Sequence, residues 1–330
     1  MGRKVVQHRI FDLALLLLVV AVVATLRTYF WPSESESVAN IAAPIGDILQ
    51  HWQAHIPVLS AVVWAVALFI FGLGVGRLGV RYSIYPAYTL MGIPVFAVVA
   101  SCVVGTTDYL LTAVAVAVMY QAMKSMTRFI MRTERFSDLS LAMLYFGVLP
   151  LVFAPAAVLY VAMPLLVLAV RASWRDVVVT LASVLLAPAA ICYWGWCAGG
   201  EFAAPAIDIY NSLFSASGFR IFEAMNIVTI LLLGVIIIMI VSALALMISD
   251  RYSIKSKSRV MLRFSALLVA VLTAIFCLPS ATATLFALIA VPVAMFVPLF
   301  FVRMGIGFTE TMYRLMLLTA AVNIVVMAFL

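Results

Sequence analysis

The chain has 330 residues, of which 67% are hydrophobic and only 10% charged, against roughly 25% charged in an ordinary soluble domain. Most of it must therefore be solvated by lipid. The formal charge of +7 does not mark a nucleic-acid binder, because Lys and Arg lie between apolar runs rather than on one solvated face.

A helix crossing a hydrocarbon core of about 30 Å needs about 20 apolar residues. In chain order the pattern predicts spans at 10–26, 57–76, 84–104, 109–123, 139–154, 156–170, 177–195, 225–248, 264–279, 281–302 and 312–330. Arg3, Lys4 and Arg9 before the first run resemble a signal peptide, but the many later spans make it a retained first helix. Pro150 and Pro155 leave 139–170 open to a tight hairpin or a kinked re-entrant unit. The expectation is an all-α polytopic membrane bundle of about eleven transmembrane helices.

Loop charge supports that count. With the N-terminus cytoplasmic, eighteen of the twenty Lys and Arg residues fall on the inner side, and only Arg27 and Arg220 fall outside. One miscounted span would exchange every later loop. The C-terminus is then expected on the outer side, and a bacterial inner membrane is the expected location. The basic clusters at 124–135 and 251–263 suit anionic lipid headgroups, with a protein partner as the other option. Nucleic acid is not an expected partner.

Two outer loops, 27–56 and 196–224, are about thirty residues long and should carry structure of their own. In the first, Ile41, Ile45, Ile48, Leu49 and Trp52 recur at helical spacing. In the second, Ile207, Tyr210 and Phe214 do the same beside Asp208. Each predicts an amphipathic helix in the outer membrane interface. The stretches 42–50 and 203–211 are alike, and Arg81-Tyr82-Ser83-Ile84 recurs as Arg251-Tyr252-Ser253-Ile254. This suggests a parallel repeat of the kind found in some transporters, or chance matches in a biased composition.

Candidate chemistry gathers on the outer side. Glu34 and Glu36 form a carboxylate pair that suits a general base or divalent cation near a lipid phosphate, or else a solvated Ser-rich loop. Asp47, His51 and His55 stand at i, i+4 and i+8, which suits a shared ligand or simply a polar flank; the Glu of a His-Glu-x-x-His zinc motif is missing. Asp108 follows the turn Gly105-Thr106-Thr107 and either serves the site or stabilises a helix start. No cofactor is expected beyond a divalent cation at these acidic groups. Cys102, Cys192, Cys197 and Cys277 lack metal-ligand spacing and read as buried small residues, with a Cys192–Cys197 disulfide as the alternative. Asp12 and Glu310 sit near the inner ends, within reach of Arg9 and Arg314. The scarcity of carboxylates near the midplane argues against ion coupling.

The long first outer loop with its interfacial helix, the acidic turn and the long loop after span seven together resemble the multispanning C-type glycosyltransferases. The stretches that carry the resemblance are Gly105-Thr106-Thr107-Asp108-Tyr109-Leu110-Leu111, Phe146-Gly147-Val148-Leu149-Pro150-Leu151 and Trp174-Arg175-Asp176 leading to Pro188. It covers residues 1–224, a seven-span module, and leaves 225–330 as four further spans of one continuous membrane domain. The resemblance implies transfer of sugar from a polyprenyl-phosphate donor in envelope glycan synthesis. Its catalytic carboxylates would be among Asp47, Asp108, Glu34 and Glu36, with His51, His55 and Asp208 binding substrate. Members of that family often carry a paired Asp-Glu or Asp-Asp in the first outer loop, which this chain lacks, as it lacks their large soluble C-terminal domain. Two other classes fit the same loops: a transporter or permease with a parallel repeat, and a non-catalytic membrane subunit partnering an envelope protein.

Overall fold

The computed structural model describes residues 10–31, 43–133, 135–171, 173–215, 225–249 and 254–329. These residues form helices joined by turns, with no strand among them. The helices are α1 (Ile10–Phe30), α2 (Pro44–His55), α3 (Pro57–Arg81), α4 (Gly92–Ser101), α5 (Tyr109–Arg128), α6 (Phe136–Val152), α7 (Val158–Arg171), α8 (Trp174–Cys197), α9 (Ala204–Ser215), α10 (Ile227–Ser249), α11 (Ser256–Ile275), α12 (Thr284–Phe296), α13 (Pro298–Arg303) and α14 (Ile306–Phe329).

Among the described residues, eight helical segments are long and apolar enough to cross a membrane, and 92–101, 136–152 and 154–170 are shorter apolar helices. Every expected span contains a helix, but the one at 84–104 is interrupted. Its first part, 84–91, is not helical, and only Gly92–Ser101 continues as α4. Pro86 and Pro94 account for this locally, since proline disfavours helix at the residue before it and cannot donate a backbone hydrogen bond. The 139–170 segment is two helices joined by a 3-10 turn over Ala154–Ala157, with Pro155 in the turn and Pro150 inside α6.

Contacts between helices fix a common direction for the ends. Thr112 and Thr284 hydroxyls meet at 3.0 Å, which sets the start of α12 beside the start of α5. Thr127 donates to the sulfur of Met261 at 3.7 Å, so α11 begins near the end of α5. Asn323 donates to the Cys102 and Val103 carbonyls and accepts from Thr229. The end of α14 and the start of α10 thus join the turn that precedes α5. One end of the bundle carries Asp47, Asp108, Glu201 and Asp208, and the other carries Arg77, Arg81, Lys124, Arg128, Lys255, Lys257 and Arg303. The cations segregate as the loop pattern leads one to expect, whereas the basic end also holds carboxylates, Asp138 paired with Arg128 at 3.3 Å, Asp176 in the first turn of α8, and Glu310. Arg27 is the exception on the acidic end, and it is buried at 6% exposure against the Gly105 turn.

The segment Thr284–Arg303 runs through the middle, with its whole apolar window buried. It packs on α3, α4, α5 and α11, so the last third of the chain shares a core with the first. The exposed apolar residues belong to the outward faces, such as Leu15, Leu18 and Val22 on α1 and Ile230, Ile237 and Val241 on α10. That is the arrangement a lipid solvent requires.

Small residues set the closest contacts. A Cβ on Gly147 of α6 would lie 2.3 Å from the Val184 carbonyl oxygen of α8. Backbone cannot yield as a side chain does, so Gly147→Ala is expected to destabilise the fold by about 1–3 kcal/mol. Denaturant titration in detergent micelles measures this.

The cysteines are free thiols, Cys102 and Cys192 buried, Cys197 and Cys277 exposed. The alternative disulfide between Cys192 and Cys197 does not form, and the reading of all four as buried holds for two. Glu310 pairs with Arg314 one turn on, as expected of an acidic residue at that end.

Candidate acidic site at one end of the bundle

Both expected amphipathic helices are present, as α2 and α9, and they touch each other. α2 starts at Pro44 in its first turn, which suits a proline because that N–H has no helical partner. It lies across the start of α5 and the end of α6. A Cβ on Gly46 would stand 2.6 Å from the Val152 carbonyl oxygen, so only glycine allows this approach.

The apolar stripe of α2 divides between two surroundings. Ile45 and Leu49 pack against the core, whereas Ile48 and Trp52 are exposed at 53% and 59%. The side that faces the bundle is completed by amides: Gln53 donates to the Thr107 carbonyl at 2.6 Å and accepts from the Leu110 N–H at 3.1 Å. One side chain thus satisfies a carbonyl of the turn before α5 and an orphan donor of its first turn. In α9, Ile209 and Ser212 are buried while Ile207, Tyr210 and Phe214 are exposed. The stripe read from sequence is therefore the one left free of protein, as a helix in a membrane interface needs.

Asp47 of α2 interacts with Asp208 of α9, and Asp108 is joined to α2 through Gln50. Asp108 precedes α5 and its carboxyl is hydrogen-bonded by Gln50, one turn after Asp47. Burial pushes the Asp108 carboxyl above the usual carboxylate range, and the Gln50 hydrogen bond opposes part of that rise. Asp47 is largely exposed, yet its carboxyl is also raised, by partial burial and then by the negative charge of Asp208 on α9. Asp108 does not cap α5 with its side chain; the Thr106 hydroxyl accepts the Asp108 N–H at 3.2 Å instead. Thr112 donates to the Asp108 carbonyl at 2.6 Å, which ties this turn into the core.

His51 and His55 are exposed, their rings 4.6 Å apart, and His55 Nδ1 lies 2.9 Å from the His51 carbonyl. Among the described residues no three His, Cys, Asp or Glu side chains group closely enough to hold a metal ion. Glu34 and Glu36 lie outside the described residues. Sequence reading passed over Gln50 and Gln53, although Gly46, Gln50 and Gln53 at i, i+4 and i+7 already mark one side of a helix.

Comparison with protein-family models, with curated proteins and with solved structures finds no match.

Proposed function

We propose that the chain is a small integral membrane enzyme of the C-type glycosyltransferase kind. In this reading it has eleven crossings in a bacterial inner membrane, with its acidic end outside. It takes a polyprenyl-phosphate-linked sugar as donor and works in envelope glycan synthesis. Support comes from one observation above the others: Asp47 on α2 feels the charge of Asp208 on α9, and Asp108 is hydrogen-bonded by Gln50 of α2, at two amphipathic helices that keep apolar stripes free for lipid.

The chemistry follows from the charge state. A carboxylate raised above its usual range is a better proton acceptor than a solvated one. Asp47 takes the proton of an acceptor hydroxyl, the hydroxyl oxygen bonds to the sugar carbon, and the bond from that carbon to the phosphate oxygen breaks. Polyprenyl phosphate leaves with the electron pair. Asp108, held by Gln50, fixes the α2 register beside this reaction. The two-carboxylate requirement of the resembling family is met across two loops, by Asp47 and Asp208, rather than by neighbours in one.

A permease draws on a different observation, the interrupted crossing at 84–104, since broken segments line substrate cavities in transporters. Native mass spectrometry with undecaprenyl phosphate separates the two. The enzyme reading expects wild type to retain the lipid and Asp47→Ala or Asp108→Ala to lose it. Absence of binding, or equal binding by all variants, removes the acidic site and leaves a transported solute or a protein partner.

A further inference from the structure

The opposite, basic end of the bundle contains a cavity of about 410 Å³. Its walls come from the end of α3, through Gly79 and Val80, and from two further places. One is the non-helical stretch from Ser83 to Thr89, and the other is the start of α11, through Ile254, Lys255 and Ser258. Ile84 and Ile254, the last residues of the two similar tetrapeptides, both line it. No carboxylate is among the described residues that form the walls.

Three features of this cavity call for an anion. The first is α11 itself, a helix of 20 residues that begins here with no side-chain cap and no acidic residue in its first turn. Its early N–H groups point out of the helix start, where the macrodipole is positive. The second is the Ser258 hydroxyl, 1% exposed and without a hydrogen-bond partner, in the cavity wall. A buried unsatisfied hydroxyl is costly unless a ligand completes it. The third is charge of the unfavourable sign for a helix start: Lys255 at the N-cap, then Lys257 and Arg259. Arg259 donates to the Ile254 carbonyl at 3.3 Å, which holds the turn in shape without lowering its positive charge.

An anion at the helix start satisfies all three at once. The rest of the lining mixes Ile84, Pro86 and Ala87 with the polar Ser83, Tyr85, Tyr88 and Thr89, so it offers both apolar surface and hydroxyls to the remainder of a ligand. We infer that this cavity binds a phosphate group through the α11 N-terminus, the Ser258 hydroxyl and Lys255. The phosphate comes either free or as the headgroup of an anionic lipid. The site is separate from the acidic end and does not depend on the function proposed there.

The test uses the full-length protein in a non-ionic detergent, stripped of lipid. Inorganic phosphate and short-chain phosphatidylglycerol are titrated separately at constant ionic strength, and thermal unfolding and native mass spectra are recorded. Wild type should bind at least one of the two. Ser258→Ala removes one hydrogen bond without adding volume and should weaken binding by about fivefold to tenfold. Adding Lys255→Gln should abolish it, while Arg314→Gln, an exposed cation at the same end, should leave it unchanged. Response to phosphatidylglycerol alone assigns a lipid headgroup, and response to inorganic phosphate assigns a free anion. No binding by wild type, or equal affinity in wild type and the Ser258 and Lys255 variants, overturns the site.

Discussion

Asp47→Asn is expected to abolish sugar transfer and, at neutral pH, to make the protein more stable than wild type. Proton abstraction by a positioned base contributes about 10²–10⁴ in rate, and an amide cannot supply it. The stability gain has a separate cause. Partial burial and Asp208 raise the Asp47 carboxyl above the usual carboxylate range although the residue is largely exposed, so the native fold modestly disfavours the charged form. A raised native pKa gives stability that is present below the unfolded pKa and lost as pH rises through the native one. Wild type and Asp47→Asn should therefore melt together below about pH 4, and the variant should melt higher at pH 7. Asp208→Asn should reproduce part of the gain by removing the repelling charge. A melting temperature that falls at pH 7 would show that the Asp47 carboxylate is a stabilising group, and the assignment as base would go with it. The pairing of greater stability with lost activity is what a site strained for function produces.

Gly46→Val should separate α2 from the bundle. Its Cβ would press on the Val152 carbonyl at 2.6 Å, and the two further methyls have no more room than the first. Overpacking of this kind costs about 1–3 kcal/mol, and α2 is held by few other contacts: Ile45 and Leu49 against the core, the two hydrogen bonds of Gln53, the Gln50 bond to Asp108 and the touch of α9. The helix should yield before the bundle does. Hydrogen exchange should quicken in 44–55 and at the start of α5, where Leu110 loses its acceptor, while α6 and α8 keep wild-type protection. Lipid binding at the acidic end should fall at least tenfold, because Asp47 and Gln50 move with the helix. Unchanged exchange in 44–55 would mean that α2 is not seated on Val152 as described.

Much of the helical plan was legible because lipid imposes it. Long apolar runs, a bias of Lys and Arg to alternate loops, and two loops too long for simple turns each have one dominant physical cause. The amphipathic helices followed from the same logic, since Ile48 with Trp52 and Tyr210 with Phe214 repeat at helical spacing. Periodicity could not reveal that 84–104 is interrupted. Apolar residues from Ile84 to Val104 suit a buried extended stretch as well as a helix, and Pro86 and Pro94 were the available signals. Nor could it separate a stripe that faces lipid from one that faces protein, which is why Ile209 and Ser212 on α9 went unread. The carboxylates of the acidic end were visible one by one, but the links between them were not. Asp47 and Asp208 are brought together only by the contact of α2 with α9, and the Gln50 bond to Asp108 crosses between two segments that sequence treats as separate. Ser258 carried no signal at all, because an unpartnered hydroxyl is a property of its surroundings.

The most direct measurement of the acidic-end site is photo-crosslinking with a polyprenyl phosphate that carries a diazirine near the phosphate, followed by peptide mapping of the adducts. Labelling should concentrate on α2, α9 and the turn from Gly105 to Tyr109, be competed away by undecaprenyl phosphate, and be lost in Gly46→Val. Adducts confined to the start of α11 and the Ser83–Thr89 stretch, or labelling that Gly46→Val leaves intact, would contradict a lipid-phosphate site at the acidic end.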